Sequence, residues 1–263
     1  YCRCPQPGLV PLDMADASTT ARLLREARPD WVVHAAGWTW VDGCEGDPAR
    51  AFRENCEQPI AVAALCHELG ARFAYFSTTY VFDGRSGPYG EENHPNPVNV
   101  YARSKWAAEQ RIQSEIAGTA LIPRVICVWG REAQQKNFVY QVLKALREGR
   151  KMRLPSDQFG NPSWAGDIAA WLVTLMAAGE RGVWNLAGSG ENCSRVEWFC
   201  AIRDAARATG LVPQRDDAGF EAVSTAVLNQ PAARPLHAGA RIQRIMDRHP
   251  RALRGPACLG KLF

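Results

Sequence analysis

No run of residues in this chain is long and apolar enough to span a bilayer. The longest strongly apolar stretch without a charge, Ile168 to Gly179, falls well short of the roughly 20 residues a membrane helix needs. No membrane partner is therefore expected. Charge of one sign is scarce as well: 31 basic residues against 27 acidic ones leave a net +4. The basic residues are scattered, a pattern that does not make a nucleic-acid platform, although a small surplus suits an anionic small molecule. The five histidines, at positions 34, 67, 94, 237 and 249, are too dispersed to suggest a metal site. The nine cysteines include no C-x-x-C pair, which argues against a zinc ribbon or a thioredoxin-type motif. Their number is odd, and Cys56, Cys66, Cys127 and Cys200 sit in apolar stretches where cysteine acts as a small hydrophobe. Reduced thiols in a cytoplasmic compartment are the expectation. Repeats, a flexible linker and a secretory signal are likewise missing.

What is present is an ordinary globular composition, 46% hydrophobic and 22% charged. Helical and strand patterns alternate along it. Asp16 or Ser18 can cap a helix running to about Arg28, and Trp31 to Ala36 reads as a buried strand. A long helix follows Pro48, then an apolar strand from Phe73 to Ser77. A turn-rich stretch leads to a helix over about 99–117 and a strand from Leu121 to Val128. Helices over 137–148, 165–178 and 194–209 and a strand over 182–187 complete the pattern. Uninterrupted apolar strands separated by helices imply an α/β fold, a parallel sheet covered on both faces. The expected organisation is a doubly wound, nucleotide-binding-type domain over 1–150. A smaller mixed α/β lobe over 151–263, interleaved with the first, is expected to bind substrate.

The sharpest chemical signal is Tyr101-Ala102-Arg103-Ser104-Lys105. Positions i and i+4 share a helix face, so the phenol and the ammonium point the same way. A tyrosine alone, with its pKa near 10, is a poor acid–base group at neutral pH, and a nearby cation favours its phenolate. Ser77-Thr78-Thr79-Tyr80 lies just past an apolar strand. In a doubly wound sheet, ligands bind outside the carboxyl ends of the strands. A hydroxyl there and a Tyr/Lys helix soon afterwards can converge on one substrate carbonyl.

Three blocks carry a family resemblance: His34 to Thr39 with Val41-Asp42, Ser77 to Gly84, and Pro97 to Lys105. It continues through Asn137-Phe138-Val139, Asp157 to Ser163, Asn185 to Gly190 and Pro231 to Pro235. In this order the chain resembles the extended short-chain dehydrogenase/reductases, and within them the dTDP-4-dehydrorhamnose reductase group. The resemblance implies that NADPH or NADH delivers hydride to the C4 keto group of a nucleotide-linked deoxysugar. It casts Tyr101 as proton donor, Thr78 as a hydrogen-bonding partner of the same oxygen, and Lys105 as the holder of the nicotinamide ribose that lowers the Tyr101 pKa. Ala35, Ala36, Thr39 and Ser77, with Tyr101 and Lys105, would line the cofactor. Thr79, Tyr80, Gln158 and Arg234 would face the sugar. A homodimer is the expected assembly.

Departures from the family pattern matter equally. Thr79 stands where the family has Asp, His34 where it has Asn, Ser163 where it has Thr, and His237-Ala238 where it has Asn-Ser. The largest departure is the absence of the glycine-rich turn with which a Rossmann fold opens and cradles the pyrophosphate. Gly8, in Pro5-Gln6-Pro7-Gly8, lacks the spacing, and Gly188-Ser189-Gly190 falls too late. With Tyr as first residue, truncation of about one strand–helix–strand unit is the expectation. Two other readings stay open from sequence: a non-catalytic protein on the same scaffold, as in the regulatory subunit of methionine adenosyltransferase, and a nucleotide-sugar epimerase or dehydratase. Asp42, Glu45 and Asp47 are expected to form a solvated loop, and most of the nine tryptophans to pack in the core or on a partner surface.

Overall fold

The computed structural model describes residues 8–116, 118–188, 192–214 and 219–251. Helix α1 (Ala17–Ala27) opens where the Asp16 carboxylate accepts the Thr19 amide, and it closes at Arg28 in a left-handed conformation. This satisfies an amide that the first helical turn would otherwise leave unpaired. The main sheet is parallel throughout. It contains β1 (Trp31–His34), β2 (Arg72–Tyr75), β3 (Ser77–Thr78), β4 (Leu121–Val125) and β5 (Gly182–Asn185). Ala74 faces Leu121 and Ser77 faces Arg124, so β2 and β3 run as one line along a single side of β4. Strand β5 lies on the other side of β4, and β1 lies outside β2. The protein is thus of the α/β class, with a sheet drawn from both halves of the chain.

Side chains alternate across the sheet as a pleated strand requires. Phe73 and Tyr75 pack with Ile60, Ala63, Ala108 and Ile112 of α2 (Gln58–Glu68) and α3 (Val100–Glu115). Ala74 and Leu121 instead meet Trp171, Leu175 and Trp184. A third core joins α4 (Phe138–Arg147) to α6 (Arg195–Ala208) through Val142, Leu146, Trp198, Phe199 and Ile202. Between them in the chain, α5 (Ala165–Ala177) covers the second face of the sheet. Four of the nine tryptophans, at 129, 171, 184 and 198, are buried, four are half-buried, and Trp40 is exposed.

Two elements differ from the sequence pattern. The long helix after Pro48 is divided into Pro48–Phe52, a π-helical turn Arg53–Glu57, and α2. Pro59 has no amide hydrogen, so the regular bond back to Asn55 cannot form, and the backbone widens there. The strand expected to run to Val128 stops at Val125, because Cys127 adopts a positive φ of 47°. Val128–Trp129 then pairs with Ser163–Trp164 instead of with the main sheet.

Candidate active site

The candidate residues gather beyond the carboxyl ends of β1 and β3. At the end of β3, the Thr78 hydroxyl accepts the Tyr80 amide at 3.1 Å and turns the chain into a short 3₁₀ segment, Thr79–Val81. Helix α3 starts nearby because the Asn99 side chain caps the Ala102 amide at 2.8 Å and Glu45 accepts the Val100 amide at 2.7 Å. Tyr101 therefore sits in the first turn and Lys105 one turn later, both buried. Tyr101 packs edge-on to Tyr80, ring centroids 6.3 Å apart. Ala35, Ala36 and Thr39 lie exposed just past β1.

Electrostatics separate Tyr101 from Lys105. Burial pushes the Tyr101 phenol above its ordinary value, and a Thr78 side chain close enough to hydrogen-bond it works in the opposite direction. Lys105 is not among the groups that bear on Tyr101, so the lowering expected from the i,i+4 spacing is not found here. The reason is visible in the packing. The Lys105 ammonium lies 4.2 Å over the Tyr75 ring, and burial brings its own pKa down to about 7, opposed by Glu109. Tyr101 is accordingly held as the neutral phenol, the form that can give up a proton.

Sequence reasoning passed over a buried amide that organises the loop after β1. Asn55, in the π-helical turn, accepts the Trp38 amide at 2.7 Å and donates to the Trp38 carbonyl and to Ser104 Oγ. A π turn in a helix is itself a sign of a functional site, but no spacing in the sequence announces it. His34 ends β1 among the rings of Phe73 and Tyr75, and its Nε2 has no partner among the described residues. Burial first, and Lys105 second, hold its pKa down to about 4.

On the other side of Tyr80 is a small cleft, with about 10 Å³ of free volume, lined by Tyr80, Gln158, Gly160, Cys193, Arg195 and Trp198, among others. The Arg195 guanidinium lies over the Phe138 and Trp198 rings at 5.1 and 5.3 Å. No carboxylate of the described residues pairs with it, and the polar group it meets is the Tyr80 hydroxyl. Gln158 is fixed by Thr225 at 3.1 Å, and its carbonyl accepts the Arg195 amide. Thr79 does not line this cleft; it is fully buried, and its hydroxyl is unpartnered. Arg234 is engaged elsewhere, 2.8 Å from Asp42. The acidic residues after β1 are thus not merely solvated. Asp42 holds Arg234, Glu45 holds the start of α3, and Asp47 caps Pro48–Phe52. Ser189 and Gly190 lie outside the described residues.

Residues 5–254 match the family model described as the RmlD substrate binding domain. The dTDP-4-dehydrorhamnose reductase of Burkholderia thailandensis is 36% identical over 189 residues, 68% of this chain and 62% of that protein. The enzyme of the same name from Streptomyces griseus is 32% identical over 231 residues, 86% of this chain and 73% of its own length. The crystal structure of the dTDP-4-dehydrorhamnose reductase of Bacillus anthracis in complex with NADP superposes with a TM-score of 0.86 at 26% identity, covering 96% of this chain and 86% of that one.

Proposed function

Since this chain belongs to the dTDP-4-dehydrorhamnose reductase family, we propose that it serves NAD(P)H-dependent reduction of the 4-keto group of a nucleotide-linked 6-deoxysugar. The observation that carries this reading is the placement of Thr78, Tyr101 and Lys105. Thr78 and Tyr101 come together past the carboxyl ends of parallel strands, where α/β sheets bind their ligands, with Lys105 buried one helical turn beyond Tyr101.

The residues fit a nicotinamide cofactor on one count of their own. Lys105 is a buried ammonium that makes no ion pair among the described residues and lies below the exposed loop of Ala35, Ala36 and Thr39. Ribose hydroxyls would supply the acceptors it lacks. When bound, the cofactor supplies the hydride. The protein supplies the rest. Tyr101, kept protonated by burial, donates its phenolic proton to the oxygen of the carbonyl as charge develops there. Thr78, beside the phenol, donates a hydrogen bond to the same oxygen and resists its drift. Lys105, one helical turn beyond Tyr101, serves the cofactor rather than the phenol. Tyr80, Gln158 and Arg195 form the wall against which the sugar and its anionic linkage lie. Arg195, half-buried and without a carboxylate partner among the described residues, is suited to an anionic substrate. The six described cysteines are unpaired, which suits a reducing compartment such as the cytoplasm.

The test is turnover of dTDP-4-dehydrorhamnose by the purified protein, followed as loss of NADPH or NADH absorbance. Turnover dependent on Tyr101, with an Arg195→Met variant raising KM more than it lowers kcat, supports the reading. Tight binding of the nucleotide sugar without turnover would replace it with a purely binding role.

A further inference from the structure

A buried charge cluster lies directly behind the site, and the reaction as described above makes no use of it. Glu109 is fully buried in α3, one turn beyond Lys105. It accepts two hydrogen bonds from Arg124 of β4, at 3.0 Å from Nε and 2.6 Å from Nη2, and a third from the Ser77 hydroxyl at the start of β3. Arg124 is itself only 2% exposed and sits over the rings of Phe82 and Trp106. Burying a charged pair is costly, and its retention calls for a reason beyond stability.

The reason is in what the carboxylate touches. Ser77 immediately precedes Thr78, so its hydroxyl bond to Glu109 fixes the strand end from which Thr78 projects. Lys105 stands four residues before Glu109 on the same helix face. The other titratable groups facing Lys105 are His34 from β1, Tyr75 from β2 and Cys56 from the π turn. Burial keeps each of them uncharged near neutral pH. Glu109 is thus the one carboxylate among the described residues whose field supports the Lys105 cation.

We propose that Glu109 is a positioning residue: through Ser77 it sets the place of Thr78, and through space it keeps Lys105 an ammonium, with Arg124 fixing the carboxylate for both tasks. This rests on the reductase reading for its catalytic consequence, but not for its electrostatic one. The sign follows directly. Activity that needs a charged Lys105 is lost as pH rises through the Lys105 pKa, and removing the supporting carboxylate moves that loss to lower pH.

The primary measurement is NMR titration of isotopically labelled lysine in the ligand-free protein, with the Lys105 signal assigned from a Lys105→Met variant. In Glu109→Gln the Lys105 midpoint is expected to fall by roughly half a unit to one unit. Glu109→Asp, which keeps the charge, is expected to hold it near the parent value. Because Glu109→Gln strands a buried guanidinium, Glu109→Gln combined with Arg124→Met is measured beside it; Arg124 is not among the groups acting on Lys105, so the same fall is expected. A Lys105 midpoint within about a tenth of a unit of the parent in a folded variant overturns the proposal, whatever the substrate proves to be. The second measurement is the pH profile of kcat/KM. A loss of about two- to fivefold at neutral pH that shrinks on acidification supports it. An equal loss at every pH, the mark of a purely structural lesion, sinks it.

Discussion

The Asn55 side chain reads both ends of Trp38, accepting its amide at 2.7 Å and donating to its carbonyl at 3.0 Å. One buried amide from a widened helical turn thereby fixes the loop that leaves β1 toward the cofactor side. The third bond, to Ser104 Oγ, links that loop to the helix carrying Tyr101 and Lys105. Asn55→Ala leaves the Trp38 amide without its partner, while the Trp38 carbonyl keeps Cys44 Sγ and the Ser104 hydroxyl keeps the Tyr101 carbonyl. A stability loss of roughly 1–3 kcal/mol is expected in urea unfolding. In the folded fraction, the KM for the nicotinamide cofactor should rise while that for the sugar changes less.

Tyr101→Phe removes one oxygen from a residue that packs on Cys44, Ala51 and Val100. The ring stays, so the core it helps to form should stay with it. Loss of the proton donor is expected to lower turnover by roughly 10²–10⁴-fold, with cofactor affinity and melting temperature close to the parent. Turnover within a few-fold of the parent would transfer the acid role to another group, the Thr78 hydroxyl first.

Where periodicity and capping carry the information, the structure was legible from the residues. Asp16, Asn99, Asn137 and Ser194 each cap a helix that begins where the pattern places it. Tyr101 and Lys105 could be found because i and i+4 on one helix is a local relationship. The hidden features of the site are non-local. Asn55 reaches Trp38 and Ser104 across 17 and 49 positions, and Arg234 meets Asp42 only because the C-terminal segment folds back over the loop after β1. The field at Tyr101 has a related origin: spacing gives a shared helix face, but burial and the Tyr75 ring decide where the Lys105 charge goes.

His34 predicts a pH dependence of stability that can be separated from all others. Burial holds its folded pKa at about 4, against about 6.5 when unfolded. As pH falls below 6.5 the unfolded chain takes up a proton that the folded protein refuses, so stability is lost down to about pH 4 and no further. At about 1.4 kcal/mol per unit over this window, the loss amounts to roughly 2–3 kcal/mol. His34→Asn has no such proton to take up. The difference in unfolding free energy between parent and variant should therefore change by that amount between pH 7 and pH 4, in favour of the variant at the acid end. A constant difference across the range would mean that His34 is accessible to protons in the folded protein.

Arg234 and Asp42 test whether a basic residue beside a substrate wall binds substrate or builds the wall. The Arg234 side chain is 9% exposed and that of Asp42 24%, with 2.8 Å between them. Arg234 also donates to the Ala232 carbonyl, and Asp42 accepts the Ala232 amide. The two side chains thus close around one residue of the returning segment. If Arg234 acts through this clasp, Asp42→Asn and Arg234→Gln should raise the KM for the nucleotide sugar by similar factors. The double variant should then be little worse than either single one, with a coupling of roughly 1–2 kcal/mol in a double-mutant cycle on stability. If Arg234 instead contacts the substrate, Arg234→Gln raises KM by itself and Asp42→Asn leaves it near the parent value. Steady-state KM values for the four proteins, measured at one pH and salt concentration, decide between these two roles.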